Sequence, residues 1–345
     1  MGADLTGYWL GGSVSGTFCQ HGPMPTRVLL DVDTGTDDAL ALLYAVAHPD
    51  LELVGVSCVA GNSGLEQVLV NTAKVLDAAA APIIPIAGGA ARPLLERRRP
   101  EGHFHGADGL GGIQLPDPQR PIAPHGAVEL LRAAIESSPE PITLVALAPQ
   151  TNVALLLSLY PDVAEKLDRI VFMGGSATGG NVTAVAEFNV WQDPEAAACV
   201  VGSGLPTTMY GLDVFSRLTV DRAHADQFRR HNHPAQQLAG ELLHRRSARS
   251  ASNSSRGSNQ DYVGLIGDAG ALVMMTNPEL FRIRRCPVRV ELAGPSRGQT
   301  VVDQRPGTQD AEALARDSWP ELDVVLNLDA AGAAAAFVGA IERFR

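Results

Sequence analysis

Four aspartates, Asp31, Asp33, Asp37 and Asp38, fall within eight residues of the segment RVLLDVDTGTDDALAL. Carboxylates this close repel one another, and their proton affinities rise unless a cation sits among them. A purely oxygen donor set suits a hard divalent ion, Ca²⁺ or Mg²⁺. Gly35 lets the chain turn sharply inside the cluster. Asp37 and Asp38 then meet a helix N-terminus, where negative charge is favoured. Helix capping alone would explain those two residues. It does not explain an apolar run that leads straight into Asp31-Val32-Asp33.

Other polar groups sit in similar places further along the chain. Cys58-Val59-Ala60-Gly61-Asn62 ends an apolar run in a small polar turn, and His105-Gly106-Ala107-Asp108-Gly109-Leu110-Gly111 is a glycine-rich loop bearing a histidine and a carboxylate. The segments LVALAPQTNVA (144–154), Met173-Gly174-Gly175 and Ala186-Glu187-Phe188-Asn189 follow, and LIGDAGAL carries Asp268. Asn62, Asn181, Glu187 and Asn189 can accept hydrogen bonds from sugar hydroxyls, and the three amides can also donate. None of these segments supplies the basic groups that would hold a phosphate.

Short apolar runs that read as buried strands carry these groups: Val28–Asp31, Leu53–Val59, Ile83–Ile86, Ile142–Leu147, Ile170–Met173 and Thr207–Tyr210. Helical segments lie between them, over Asp38–Ala47, Leu65–Ala80, Ala127–Ser137, Asn152–Tyr160 and Pro194–Val201, with Asp193 as the cap before Pro194. Alternation of this kind predicts an α/β fold, a parallel sheet joined by crossover helices. Ligands in such folds gather beyond the carboxyl ends of the strands, where each polar cluster falls. The tail Asp329–Arg345 reads as a final helix capped by Asp329. The Ser/Arg/Asn-rich stretch His244–Asp261 has no apolar period and reads as a mobile surface loop, a lid candidate.

Composition removes several classes of function. With 27 Lys+Arg against 38 Asp+Glu, the 345-residue chain carries a formal charge of −11, which argues against nucleic-acid binding by bulk charge. Hydrophobic residues at 45% and charged residues at 19% are the mixture of a folded domain, not of a disordered chain. No run approaches the roughly 20 apolar residues of a membrane span. The scattered Cys19, Cys58, Cys199 and Cys286 have no zinc-site spacing and form no disulfide framework, so a cytoplasmic setting is expected. Residues 1–23 show neither a secretory pattern nor a hydrophobic period; they are expected to be a loose extension, or Met24 the natural start, ahead of a single domain over 24–345.

Two families begin with such an acidic loop. Asp31-Val32-Asp33-Thr34 alone resembles the dehalogenase-type phosphatases, with Asp31 as nucleophile and Asp33 as acid. The whole run from Asp31 to Ala41 fits the DxDxGxDDAxA of nucleoside hydrolases, and the later motifs agree with it in order and spacing. From about Val28 to the final helix the chain resembles the inosine–uridine-preferring nucleoside hydrolase family.

That resemblance implies an open, mostly parallel, Rossmann-like sheet flanked by helices and a Ca²⁺ at the bottom of the pocket. It implies Asp33, Asp38, the backbone carbonyl of Leu147, and Asp268 as metal ligands. Asp37 and Asn62 would hold the ribose hydroxyls, Asn181, Glu187 and Asn189 the sugar toward its 5′ end, and Met173 the floor. The implied reaction is hydrolysis of a nucleoside to free base and ribose, with a metal-activated water, Asp33 as general base and an oxocarbenium-like transition state. Family members are often homo-oligomers, dimers or tetramers.

One position departs from the family. Many members carry a histidine just before the carboxylate matching Asp268, where it helps protonate the leaving base; here it is Gly267. Candidates for that task are His105, Tyr262 and Trp191, with His103 weaker. The departure also leaves open a catalytically altered protein that binds ribose or a nucleoside without turnover.

Overall fold

The structure, a computed structural model, describes residues 24–99, 105–253, 264–305 and 319–345. The expectations for residues 1–23, His103, Tyr262 and 254–261 lie outside the described residues. Eleven strands follow in chain order: β1 (Thr26–Val32), β2 (Leu51–Cys58), β3 (Ile86–Gly88), β4 (Ile142–Ala146), β5 (Leu167–Met173), β6 (Thr207–Tyr210), β7 (Thr219–Val220), β8 (Gly264–Leu265), β9 (Phe281–Val290), β10 (Thr300–Val302) and β11 (Glu321–Leu328). Nine of them form one sheet in the order β10-β9-β11-β6-β5-β4-β1-β2-β3, and β7 pairs with β8 separately. All neighbours from β11 to β3 are parallel; β9 runs antiparallel to both β11 and β10. This is the open, mostly parallel sheet flanked by helices that the sequence predicts.

Strand pleating explains the buried apolar runs. Val28, Leu30 and Val32 of β1 face one core, with Leu40, Leu43 and Tyr44 of the helix Thr36–Ala47. Leu29 faces the other, with Leu130 and Leu131 of the helix Ala127–Ser137 and Leu156 of Thr151–Leu159. A strand covered by helices on both sides has no polar face, so it shows continuous hydrophobicity rather than alternation. Each fully buried leucine contributes on the order of 2 kcal/mol by leaving water.

The strand order fixes where a ligand can enter. β1 has β2 on one side and β4 on the other, so the connections leave β1 and β4 in opposite directions. This is the topological switch point, where a crevice opens beyond the strand ends. Asp33 follows β1 there, and Leu147 follows β4.

Several elements differ from expectation. The strand predicted at Ile83–Ile86 occupies Ile86–Gly88 instead, because Pro82 and Pro85 cannot donate ladder hydrogen bonds. Residues 244–253, expected as loop, continue the helix Pro234–Asn253. Its buried Ala235, Leu238, Ala239, Leu242 and Leu243 give the three- and four-residue period of a packed face, which carries the helix into the Ser/Arg-rich stretch. Strands β7 to β11, the antiparallel β9 and β10 among them, had no counterpart in the sequence reading. No helix among the described residues is long and apolar enough to cross a membrane.

Candidate active site

A cavity of about 380 Å³ opens at the switch point, lined by Asp37, Asn62, His105, Leu147, Met173, Asn181, Glu187, Asn189 and Asp268, together with Val182, Phe188, Trp191, Phe215 and Arg246. That volume is in the range of small-molecule sites. Of the predicted site residues among the described ones, ten line it directly, Trp191 included. The other two, Asp33 and Asp38, are wholly buried and joined to one of its walls through Asn62.

The acidic cluster is tightly wired. The Asn62 backbone N–H donates to Asp33 Oδ2 at 2.6 Å, and its side-chain amide donates to Asp33 Oδ1 at 3.0 Å and Asp38 Oδ2 at 3.3 Å. Such close seating needs Gly61: a Cβ there would stand 2.0 Å from Asp33 Oδ2. Asp38 also accepts from the backbone N–H groups of Asp33 and Gly35, so the capping role expected at this helix start is present as well. Asp268, from the far end of the chain, has a carboxylate oxygen within 4.8 Å of oxygens of Asp37 and Asp38.

Electrostatics separates Asp37 from its neighbours. Burial, then the charge of Asp38, pushes the Asp33 carboxyl well above its ordinary range. Burial and the Asp37 charge raise Asp38 to about 7, and burial with all three other aspartates raises Asp268. Burial pulls Asp37 upward, but the Arg246 guanidinium, His105 and hydrogen bonds from Arg246 and the backbone together outweigh it and hold that carboxyl below its usual value. Arg246 Nη1 lies 3.0 Å from Asp37 Oδ2, and both side chains are nearly sealed from solvent. Arg98 lies within electrostatic reach of Asp33. Asp33, Asp38 and Asp268 have raised proton affinity, and the carboxylate oxygens shown within 4.8 Å of one another are those of Asp37, Asp38 and Asp268; an acidic cluster of this kind is one that a hard divalent cation would stabilise.

The sugar-side candidates are fixed by their own backbones. Glu187 caps the helix Phe188–Gln192, accepting from the N–H groups of Asn189 and Val190, and also from Gly175. Burial raises its carboxyl to about 7 against the pull of those hydrogen bonds. Asn189 Nδ2 donates to the carbonyls of Leu147 and Met173, at 3.0 and 3.1 Å, and approaches the Met173 sulfur at 3.3 Å. The Leu147 carbonyl keeps a second lone pair. Asn181 stands exposed at the mouth.

His105 is locked by Thr36, whose backbone N–H lies 3.2 Å and hydroxyl 3.1 Å from Nδ1. A backbone N–H aimed at Nδ1 requires that nitrogen to be the acceptor, which places the ring proton on Nε2. Asp37 Oδ1 at 3.6 Å from Nδ1 is therefore a polar approach rather than an ion pair. Trp191 also lines the cavity, with the Arg99 guanidinium over its ring. Asp108 is a turn residue, accepting from the N–H groups of Leu110 and Gly112.

Two sequence readings are corrected. Asp31, the nucleophile of the phosphatase alternative, is fully buried beneath the site, where its Oδ1 accepts from Ser57 and Asn152. It does not line the cavity. Arg246 and Phe215 line the cavity yet were not singled out from the sequence, Arg246 because its Ser/Arg-rich surroundings suggested loop.

Comparison with known proteins agrees with this geometry. A sequence profile described as "Inosine-uridine preferring nucleoside hydrolase" matches residues 28–335. The chain is similar to the pyrimidine-specific ribonucleoside hydrolase RihA of Salmonella enteritidis, 38% identical over 282 residues, covering 81% of this chain and 89% of the relative. Among solved structures it is similar to a purine-preferring ribonucleoside hydrolase from Gardnerella vaginalis (TM-score 0.82, 26% identity, 92% of this chain and 98% of the other). It is also similar to the plant nucleoside hydrolase PpNRh1 (TM-score 0.81, 25% identity, 92% and 99%). The chain belongs to the inosine–uridine preferring nucleoside hydrolase family and is an N-ribosyl hydrolase.

Proposed function

We propose that the protein hydrolyses the N-glycosidic bond of ribonucleosides with Ca²⁺ held by Asp33, Asp38, Asp268 and the Leu147 carbonyl. The observation that carries this reading is the convergence of buried, proton-hungry carboxylates from both ends of the chain on a cavity walled by sugar-compatible amides. Asp37 stands outside the ligand set because Arg246 already neutralises it. When bound, Ca²⁺ supplies a fixed positive charge that makes a nearby water a better nucleophile at neutral pH.

The chain's own groups supply the rest. Asp33 takes the proton of the attacking water. Asp37 Oδ1, which has no hydrogen-bond partner among the described residues, accepts from a ribose hydroxyl with Asn62 beside it. Asn189, Glu187 and Asn181 orient the sugar toward its 5′ end, and Met173 forms the floor. The acidic cluster opposes the positive charge that develops at C1′, and fixing the sugar lowers the entropic barrier. His105, held by Thr36 with its ring proton on Nε2, faces the same cavity and is the candidate hydrogen-bond donor to the departing base. Free thiols at Cys58, Cys199 and Cys286 fit a reducing compartment, so a cytoplasmic location belongs to the proposal.

The test is release of reducing sugar from uridine, cytidine, inosine and adenosine, with and without strong chelation. The Salmonella relatives are named pyrimidine-specific, which puts uridine and cytidine first. Turnover that disappears on chelation and returns with Ca²⁺ supports the reading. Nucleoside binding by metal-loaded, folded protein without sugar release overturns it.

A further inference from the structure

Position 267 has no side chain and no room for one. Its φ is +69°, and a Cβ would stand 2.6 Å from Asp37 Cβ and 3.2 Å from Arg246 Nη2. The Arg246 guanidinium occupies that side of the cavity and is gripped on several sides. Nε donates to the Leu265 carbonyl at 2.9 Å, Nη1 donates to Thr36 Oγ1 at 3.1 Å and pairs with Asp37, and the group lies 5.9 Å from the Phe215 ring centroid. Its Nη2 is buried and has no hydrogen-bond partner among the described residues. Leaving such a donor unsatisfied is costly. Arg246 lines the cavity, and Nη2 is covered there, so a ligand that displaces this cover can complete it.

We propose that Arg246 is a catalytic residue whose Nη2 hydrogen-bonds the carbonyl oxygen beside the glycosidic nitrogen of a pyrimidine, O2 of uracil or cytosine, and activates the base as a leaving group. The inference rests on the nucleoside-hydrolase reading above. As C1′–N1 breaks, its electron pair enters the ring and spreads onto O2. The water oxygen bonds to C1′ and its proton goes to Asp33, while the departing pyrimidine anion collects a proton from solvent. Arginine keeps its own proton throughout. It acts as a fixed, charged donor aimed at developing negative charge, in the manner of an oxyanion hole. A purine presents no exocyclic carbonyl beside its glycosidic nitrogen, so the contact selects pyrimidines.

The test compares kcat/KM of wild type, Arg246→Gln and Arg246→Lys on uridine and on p-nitrophenyl β-D-ribofuranoside, whose leaving group has no such carbonyl and needs no such help. Arg246→Gln is expected to lose on the order of 100-fold more on uridine than on the nitrophenyl riboside, mainly in kcat, with Arg246→Lys recovering part. Equal losses on both substrates would reduce Arg246 to holding Asp37 and overturn the proposal. So would a wild type that prefers inosine to uridine. Should the wild type cleave neither substrate, the parent reading fails separately, and calorimetry still decides the contact. Weaker uridine but unchanged ribose affinity in Arg246→Gln supports it, and unchanged uridine affinity overturns it.

Discussion

At the proposed sugar end of the cavity the assigned groups come from neighbouring strand ends. Asp33 and Asn62 follow β1 and β2, which pair from Thr26↔Leu51 to Val32↔Cys58, and Leu147 follows β4, whose Ala146 pairs with Asp31. At the proposed base end, Arg246 sits on a helix 210 residues beyond the Thr36 that it bonds, beside a glycine rather than a side chain. The sheet places the first set with the precision of its register; the second depends on one helix packing correctly. Their charges differ too. The sugar end gathers mutually repelling carboxylates that invite a cation, whereas the base end brings its own.

Removing the base of the sugar half should have the largest effect. Asp33→Asn keeps the shape but cannot accept the water's proton, and uridine kcat is expected to fall about 10³–10⁴-fold, measured by reducing-sugar release. A loss under tenfold would break the assignment. A smaller effect is expected from Glu187→Gln, through pH. In the folded protein the Glu187 carboxyl is raised to about 7 from an ordinary 4.5. The unfolded chain therefore ionises first, and the wild type loses stability as pH rises through that window, whereas the glutamine variant does not. Urea titrations should show the variant's stability deficit, caused by a poorer helix cap, shrinking by up to roughly 3 kcal/mol between pH 4.5 and 7. The smallest effect sharpens the base half. Gly267→Ala forces a side chain into left-handed backbone against Asp37, and stability should drop by about 2 kcal/mol in the same assay. An unchanged midpoint would show that the Arg246–Asp37 pair can move aside.

Much of the sugar half was legible because its motifs are local. The run from Asp31 to Asp38 is contiguous, β6 and the helices Ala127–Ser137 and Pro194–Val201 were bounded as they stand, and the Asp329 cap bonds Gly332 as expected. Asp268 became part of the site through family resemblance, since nothing in LIGDAGAL alone points across the chain. Arg246 was obscured by composition. Arginine and serine around it suggested solvent, yet it lies four residues after Leu242 and three after Leu243, on the same buried face. Extending that period past the last leucine would have found it. The antiparallel edge was missed for a related reason: β9 shows four consecutive exposed residues, Arg282–Arg285, within a strand, which hides its alternation.

Asp37 belongs to both halves at once. One of its oxygens is committed to Arg246 and the other has no hydrogen-bond partner among the described residues, so whatever draws on the second alters the grip on the first. On the proposed contacts, ribose and free base do not have independent affinities for this protein: each product would change the hold on the other by the same factor, as thermodynamic reciprocity demands, and the order of their departure would be tied to a single carboxylate.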